Sequence, residues 1–242
     1  MLIHDEGQGV HALTLDRGDK GNALSSALVD ALLAAIAAAH DRPQARALVL
    51  AGNGRHLCTG FDLSDLEQAT EGDLLLRFVR VEQMLDAVWR SPLLTVALAS
   101  GRTWGAGADL FCAAQQRWAL PDATFRFPGA AFGLVLGTRR LAARVGADTA
   151  RAWVAGGLEI DAATAQAAGL VSHVGTREAF DAHVAALRTA ADVIDAETRR
   201  AINTVTRDGD ADADLAALVR SAARPGLKQR IVAYRAASTA RR

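Results

Sequence analysis

Two short apolar runs, each followed by a glycine-containing loop and a segment of helical periodicity, restrict the fold of this chain most. The runs are residues 47–50 and 93–99, and between them apolar residues recur at helical spacing over residues 74–89. Strands that read as continuous apolar runs are buried on both faces, as in parallel sheets covered by helices. The sequence therefore predicts an α/β protein whose loops at the strand ends carry the functional groups.

The two ends of the chain have different patterns. Residues 2–15 predict two short strands around a Gly-Gln-Gly turn, and residues 25–40 predict a helix that Ser25 or Ser26 could cap. The C-terminal part contains only helical patterns, broken at residues 208–210 and 224–226. We therefore predict a core over residues 1–191 and a helical oligomerisation region over residues 192–242.

Apolar residues recur at helical spacing in this C-terminal region. They are Leu215, Leu218, Val219, Leu227, Ile231, Val232 and Tyr234. Such a stripe would be exposed to water if the helices stood alone, so it must cover either its own core or a neighbouring subunit. We expect the second option, with a trimer or a dimer of trimers as the assembly.

Composition excludes several classes of function. Lys plus Arg and Asp plus Glu both number 27, so the totals predict no basic surface for nucleic acid. The two cysteines, Cys58 and Cys112, form no metal-binding motif, and we expect no metal and a reducing cytoplasmic location. The sequence contains neither a secretory signal nor a run of roughly 18 apolar residues, so we expect no membrane segment.

Two glycine-containing loops are the candidates for chemistry. Residues 58–63 and residues 104–110 each connect a predicted buried strand to a predicted helix. Glycine allows the chain to turn tightly and to approach a ligand closely. Backbone N–H groups at the start of a helix lack intrahelical partners and can stabilise an oxygen that becomes negative during a reaction. Taken singly, such loops are usually structural.

Four motifs in order resemble the enoyl-CoA hydratase/isomerase family, also called the crotonase superfamily. They are DRGDKGNALS at residues 16–25, HLCTGFDL at 56–63, GRTWGAGADL at 101–110, and AGG at 155–157 leading to AAGLV at 167–171. The resemblance covers roughly residues 10–240. It implies a spiral of repeated ββα units, an acyl-CoA thioester as substrate, no cofactor besides the coenzyme A of that substrate, and a helical C-terminal region that packs trimers.

The resemblance also implies roles for particular residues. The backbone N–H groups of Phe61 and Ala106 match the oxyanion hole that holds the thioester oxygen, and loss of one such donor typically costs about 3 kcal/mol. The implied contacts to coenzyme A are Arg17, Lys20, Ala23, Leu24, Cys58, Thr59 and Gly60. The implied wall of the acyl pocket is Trp104, Pro128, Gly129 and Phe132.

The acid–base residues depart from the family pattern. Asp109 occupies the position of one family glutamate, but the position of the second holds Gly129, and a further acidic position falls on Gly137. Hydration of an enoyl-CoA needs two proton-transfer groups, whereas a double-bond shift can use one carboxylate. We therefore predict isomerisation or weak hydration by Asp109, or alternatively a catalytically impaired acyl-CoA-binding protein. Thioester hydrolysis and decarboxylation by other side chains remain open.

The same residues have structural interpretations as well. Asp109 could be an acid favoured by the dipole at a helix N-terminus, and Asp62 is expected to cap the turn that follows it. Both cysteines are expected to be small buried apolar residues. Basic residues such as Arg17 and Lys20 are ordinary in loops. Trp104 and Phe132 fit a core position as well as a pocket wall.

Overall fold

The computed structural model describes residues 1–190, 194–207 and 209–239. The strands are β1 (Leu2–Gly7), β2 (Val10–Leu15), β3 (Ala47–Gly52), β4 (Leu94–Ala99), β5 (Arg102–Trp104), β6 (Gln116–Ala119), β7 (Thr124–Arg126), β8 (Ile160–Asp161) and β9 (His173–Val174). The helices are α1 (Ser26–His40), α2 (Glu71–Trp89), α3 (Ala106–Ala113), α4 (Thr138–Val145), α5 (Ala147–Gly156), α6 (Ala162–Ala167), α7 (Arg177–Thr189), α8 (Ala196–Val205), α9 (Ala211–Ala222) and α10 (Leu227–Thr239). None of the helices in the described ranges combines the length and apolar character that a membrane span requires.

The strands form two sheets. The larger sheet has the order β1-β2-β3-β4-β6-β9, in which only the β1–β2 pair is antiparallel. The smaller sheet has the order β5-β7-β8, and two parallel bridges, Leu24 to Phe61 and Cys58 to Thr103, extend this second layer. Successive turns of the chain thus add a strand to the large sheet, an extended segment to the second layer, and a helix. This arrangement confirms the predicted α/β spiral of ββα units.

Local sequence explains where the predicted elements begin and end. The β1–β2 hairpin turns at Gln8 and Gly9, which both have positive φ. The Ser25 side chain accepts a hydrogen bond from the Leu28 N–H at 3.3 Å and caps α1, as predicted. Helix α2 begins at Glu71, three residues before its predicted start at residue 74, because Thr70 and Asp73 form a reciprocal capping box.

The C-terminal helices cover a second apolar core within the same chain. Leu218, Leu227 and Ile231 are at most 1% exposed and pack with Leu74 and Phe78 of α2. The predicted stripe is therefore partly covered by its own chain, whereas Val232 stays 41% exposed. The break before α10 at residues 224–226 is confirmed. Gly209 and Asp210 lie between α8 and α9, as the break predicted at residues 208–210 requires. Residue 208 and the predicted boundary between residues 191 and 192 lie outside the described residues.

Candidate active site

The two glycine-containing loops meet through their backbones. Gly60 has φ +106°, and a Cβ atom added there would lie 3.0 Å from the Trp104 carbonyl oxygen and 3.7 Å from the Ala106 nitrogen. Gly105 has φ +53° and turns the chain from β5 into α3. Positive φ disfavours side chains at both positions, and a Cβ atom at Gly60 would also lie tightly against the Trp104 carbonyl oxygen. The glycines thus bring the residue 58–63 loop against the start of α3.

Two backbone amides lie free at this junction. Ala106 is the first residue of α3, and the first bond within the helix runs from the Asp109 N–H to the Gly105 oxygen at 3.0 Å. Within the described residues, neither the Ala106 N–H nor the Phe61 N–H donates a hydrogen bond to the protein. Both residues line one cavity. Two free donors at the positive end of a helix can stabilise a developing oxyanion.

Asp109 lines the same cavity from the first turn of α3. Asp109 is only 5% exposed, and its carboxyl group accepts no hydrogen bond from a donor within the described ranges. Burial raises the pKa of Asp109 well above its ordinary value, the nearby Glu82 carboxylate raises it further, and Arg140 opposes the rise. The site therefore contains a carboxyl group with an unusually high proton affinity.

A buried ion pair lies next to Asp109. Arg140 of α4 donates to both carboxylate oxygens of Glu82 of α2, at 3.1 and 2.6 Å, and the two side chains are 1% and 3% exposed. Burial alone would lower the pKa of Arg140, but the hydrogen bonds to Glu82 raise it above its ordinary value. Burial also raises the pKa of the Glu82 carboxyl group, and the hydrogen bonds from Arg140 oppose that rise.

The two glycines at the family's other acidic positions differ in their surroundings. A Cβ atom at Gly129 would meet only Leu134, at 3.5 Å or more, which is ordinary contact. Gly137 has φ +65°, and a Cβ atom there would lie 2.3 Å from Asp109 Oδ1. A side chain therefore fits at Gly129 but not at Gly137 while Asp109 keeps its place.

The predicted acyl-pocket residues all lie around this cavity, which encloses about 150 Å³. A cavity of about this size binds benzene in another protein, so the space suits a small acyl group. Trp104, Pro128, Gly129 and Phe132 line it, and the Trp104 Nε1–H is fixed by Thr124 Oγ1 at 3.0 Å.

Sequence reasoning missed part of the wall. The additional residues come from α2, α5, α10 and the segment before α4: Phe78, Leu134, Leu136, Val154, Ile231 and Tyr234. The Phe61 ring stacks on the Phe78 ring at 4.3 Å between centroids, and Phe132 contacts Tyr234 at 5.3 Å. Ile231 and Tyr234, which we assigned to a subunit contact, lie at the cavity of their own chain. Apolar helical spacing was the available signal, but it does not distinguish a pocket from a core.

The predicted coenzyme A contacts divide into two sets. Thr59 and Gly60 line the cavity, and Lys20 and Thr59 line an adjoining groove with His56 and Arg102. The structure does not bring the other four, Arg17, Ala23, Leu24 and Cys58, to the cavity or to this groove.

Arg17, Leu24 and Cys58 have structural contacts instead. The Arg17 guanidinium pairs with Asp62 at 2.9 Å and donates to the Ala23 oxygen at 2.6 Å. Asp62 also accepts the Ser64 N–H at 2.9 Å, as its predicted capping role requires. Leu24 and Cys58 are at most 1% exposed, and burial raises the pKa of the Cys58 thiol to about 12. Both cysteines are buried and free, in agreement with the structural interpretation.

One group of possible metal ligands occurs in the described part of the chain, on the β1–β2 hairpin. His4, Glu6 and His11 share one face because Glu6 pairs directly with His11 and His4 lies two residues before Glu6. The His4 Nε2 and His11 Nδ1 atoms are 3.1 Å apart, which is a hydrogen-bond distance. None of the three residues lines the cavity.

Known proteins resemble this chain in sequence and in fold. Residues 5–228 match the family described as Enoyl-CoA hydratase/isomerase. The chain is 33% identical to a probable enoyl-CoA hydratase of Mycobacterium bovis over 206 residues, which is 84% of this chain and 82% of that protein. A crystal structure of an enoyl-CoA hydratase/isomerase homologue from Bordetella parapertussis has a TM-score of 0.93 and 46% identity, covering 96% of this chain and 97% of that one. The chain belongs to the enoyl-CoA hydratase/isomerase family.

A more distant relative is a decarboxylase. The chain is 27% identical over 176 residues to an ethylmalonyl-CoA decarboxylase of Pongo abelii, which covers 71% of this chain and 58% of that protein. Membership of the family thus leaves open which reaction the site performs.

Proposed function

We propose that this protein isomerises a short-chain enoyl-CoA, with Asp109 as the one group that moves the proton. The observation that carries the proposal is that Asp109 supplies the one carboxyl group among the described residues that line the cavity. The free N–H groups of Phe61 and Ala106 lie in the same cavity. A single carboxyl group beside an oxyanion hole suits a reaction in which one group takes a proton and returns it.

In the proposed mechanism, the two amides hold the thioester oxygen of a 3-enoyl-CoA. The Asp109 carboxylate takes a proton from C2, and the electron pair of that C–H bond spreads over the dienolate and its oxygen. Asp109 then returns the proton to C4, so the double bond moves from C3 to C2 and the carboxylate is restored. Because the pKa of Asp109 is raised, its carboxylate is a stronger base than an ordinary aspartate.

Weak hydration is compatible with the same site. Addition of water requires one group to activate the water and another to handle the proton at C2, and Gly129 supplies no such group. Lys20 and Thr59 are the proposed contacts to the coenzyme A part of the substrate, because they line the groove beside the cavity.

Parallel assays would test the proposal. We would measure 3-enoyl-CoA isomerisation, crotonyl-CoA hydration, and the binding of saturated acyl-CoA to the same preparation. Isomerisation faster than hydration is expected. Binding without turnover would favour the alternative, a catalytically impaired acyl-CoA-binding protein, and absence of binding would contradict both.

Ala106→Pro tests the oxyanion hole directly. Ala106 is the first residue of α3, a position where proline is well accepted, so the substitution removes the N–H while α3 can remain intact. We expect kcat/KM to fall about 10²- to 10³-fold. Circular dichroism would verify folding, and undiminished turnover in a folded variant would remove this assignment.

Decarboxylation of a 2-carboxyacyl-CoA is a second candidate, favoured by the raised pKa of Asp109 and by the decarboxylase among the relatives. Loss of CO₂ would leave the electron pair on C2 as an enolate held by the amides, and the neutral Asp109 carboxyl would then protonate C2. The two candidates predict opposite pH profiles, because isomerisation needs the carboxylate and decarboxylation needs the acid. Release of CO₂ from ethylmalonyl-CoA, measured against pH, would distinguish them.

Assembly and location complete the proposal. We propose a cytoplasmic trimer or dimer of trimers, as the family resemblance implies. Helix α8 supports an interface because Ile202 and Val205 are 45% and 81% exposed. Sedimentation equilibrium would give three or six times 25.4 kDa, whereas a monomer at micromolar concentration would contradict the assembly.

A further inference from the structure

A second groove opens from the cavity. It shares six lining residues with the cavity, and these are Leu63, Trp104, Pro128, Ala130, Val154 and Tyr234. It then continues between α5 and the C-terminal half of α10. A substrate whose thioester lies at the Phe61 and Ala106 amides could therefore extend from the cavity into this groove.

Three neighbouring side chains of the small sheet line the groove, and they are those of Arg102, Trp104 and Arg126. Arg102 and Trp104 lie two residues apart on β5 and share a face, and Arg126 of β7 is the direct neighbour of Trp104 across the parallel pair. The Arg102 and Arg126 guanidinium carbons lie 4.8 and 5.7 Å from the centroid of the Trp104 ring. Strand register thus places two guanidinium groups within cation–π distance of one indole.

Two guanidinium groups, those of Arg102 and Arg126, line the groove, and no aspartate or glutamate of the described ranges lines it. Arg126 is held by a hydrogen bond from its Nε to the Gly157 oxygen at 2.9 Å. Its two terminal nitrogens have no hydrogen-bond partner among the described residues. A guanidinium fixed at Nε with free terminal nitrogens is suited to hold a carboxylate.

Arg126 does not line the groove that we assign to coenzyme A. That groove contains Lys20 and Thr59, and it shares only Arg102 and Trp104 with the second groove. We propose that the Arg126 groove binds a carboxylate at the far end of the acyl group, so that the preferred substrate is a coenzyme A thioester of a dicarboxylic acid. This inference rests on the proposed acyl-CoA function and specifies its substrate class.

Matched saturated thioesters test the inference by equilibrium binding, without relying on turnover. Isothermal titration calorimetry would compare glutaryl-CoA with valeryl-CoA and adipyl-CoA with hexanoyl-CoA, pairs in which a carboxylate replaces a methyl group. We expect the dicarboxylic member of at least one pair to bind about tenfold or more tightly, since a charge-assisted hydrogen bond exceeds a neutral one. Arg126→Gln should abolish this preference and leave the affinity for the monocarboxylic member within about twofold.

Two further variants separate the carboxylate contact from other effects. Lys20→Gln should weaken both members of a pair equally, because it acts on their common coenzyme A. Arg126→Lys should keep part of the preference, because it retains the positive charge while losing the fixed guanidinium. Thermal unfolding of each variant would verify that the protein remains folded.

The outcomes are distinguishable. Absence of a dicarboxylic preference in the wild type, or a preference that survives Arg126→Gln, would overturn the inference. Equal weakening of both members by Arg126→Gln would also overturn it, because the guanidinium would then serve the coenzyme A part. If the wild type binds none of the four thioesters, the proposed acyl-CoA function fails together with the inference.

Discussion

Gly129 and Gly137 occupy comparable positions in the sequence, yet their surroundings are opposite. At Gly129 the backbone has no left-handed conformation and an added Cβ would meet Leu134 at an ordinary distance. At Gly137 the backbone is left-handed and an added Cβ would overlap the Asp109 carboxyl group. Glycine at residue 129 is therefore not required by the fold, whereas glycine at residue 137 makes room for Asp109.

The glycine at residue 129 leaves out a carboxyl group that hydration could use, whereas the glycine at residue 137 is required by the packing around Asp109. The cavity lacks a carboxyl group at residue 129 although there is room for a Cβ atom there, so under the proposed function the single acid reflects the reaction and not the fold. Residue 137 belongs to the enclosure that buries Asp109 and raises its pKa. We therefore expect changes at Gly129 to affect the rate of hydration and changes at Gly137 to affect the free energy of unfolding.

The largest expected effect is a fall in reaction rate when the carboxyl group of Asp109 is removed. Asp109→Asn keeps the shape of the side chain but cannot transfer the proton. We expect the rate of isomerisation, or of decarboxylation if that is the reaction, to fall about 10²- to 10⁴-fold. Binding of a saturated acyl-CoA should remain within about threefold, which provides the control. Unchanged turnover in Asp109→Asn would assign the chemistry to another group.

Gly137→Ala should have the next largest effect, on stability. A left-handed alanine costs about 1–2 kcal/mol and overpacking against Asp109 about 1–3 kcal/mol, so the free energy of unfolding should fall by about 2–5 kcal/mol. Urea denaturation would measure the change. Gly129→Ala is the matched control, with an expected change within about 0.5 kcal/mol. Equal effects at the two glycines would contradict the distinction between them.

Gly129→Glu tests whether the missing acid limits hydration. Because the backbone at residue 129 accepts a side chain, the glutamate should enter the cavity and raise the rate of crotonyl-CoA hydration by about tenfold, below the 10²–10⁴-fold of a well-placed group. Gly129→Gln controls for the added bulk. A similar gain from glutamine, or a wild-type kcat/KM already near 10⁶ M⁻¹s⁻¹, would show that the missing carboxyl is not limiting.

The smallest expected effect is a pH dependence of stability. The raised pKa of Asp109 means that the unfolded state loses this proton at a lower pH than the folded state does. Below the unfolded pKa of about 3.9, Asp109 is protonated in both states and its ionisation does not lower the free energy of unfolding. As the pH rises through the raised pKa, the cost of the buried charge lowers the free energy of unfolding. Asp109→Asn should therefore match the wild type in melting temperature at pH 4 and exceed it at pH 8. A difference that does not change between these two pH values would contradict the burial of an ionisable group at residue 109.

Much of the fold was predictable because the chemistry of its elements is local. Apolar runs indicated β3 and β4, and helical spacing with Ser25 as a cap indicated α1. The order of the motifs indicated the ββα spiral. The start of α2 was missed because its capping box lies before the apolar period begins. The C-terminal stripe identified helices correctly, but spacing alone does not show which surface a helix covers.

The candidate site was predictable only where backbone geometry depends on residue type. The sequence by itself determined the two loops with Gly60 and Gly105, whose positive φ values require glycine, and the single acid at Asp109. The tertiary structure alone decided that α10 brings Tyr234 to the cavity, that Arg17 pairs with Asp62, and that Arg126 lies beside Trp104. Loop conformation follows from neighbouring residues, whereas these contacts join segments far apart in the chain, whose meeting depends on the packing of the whole core.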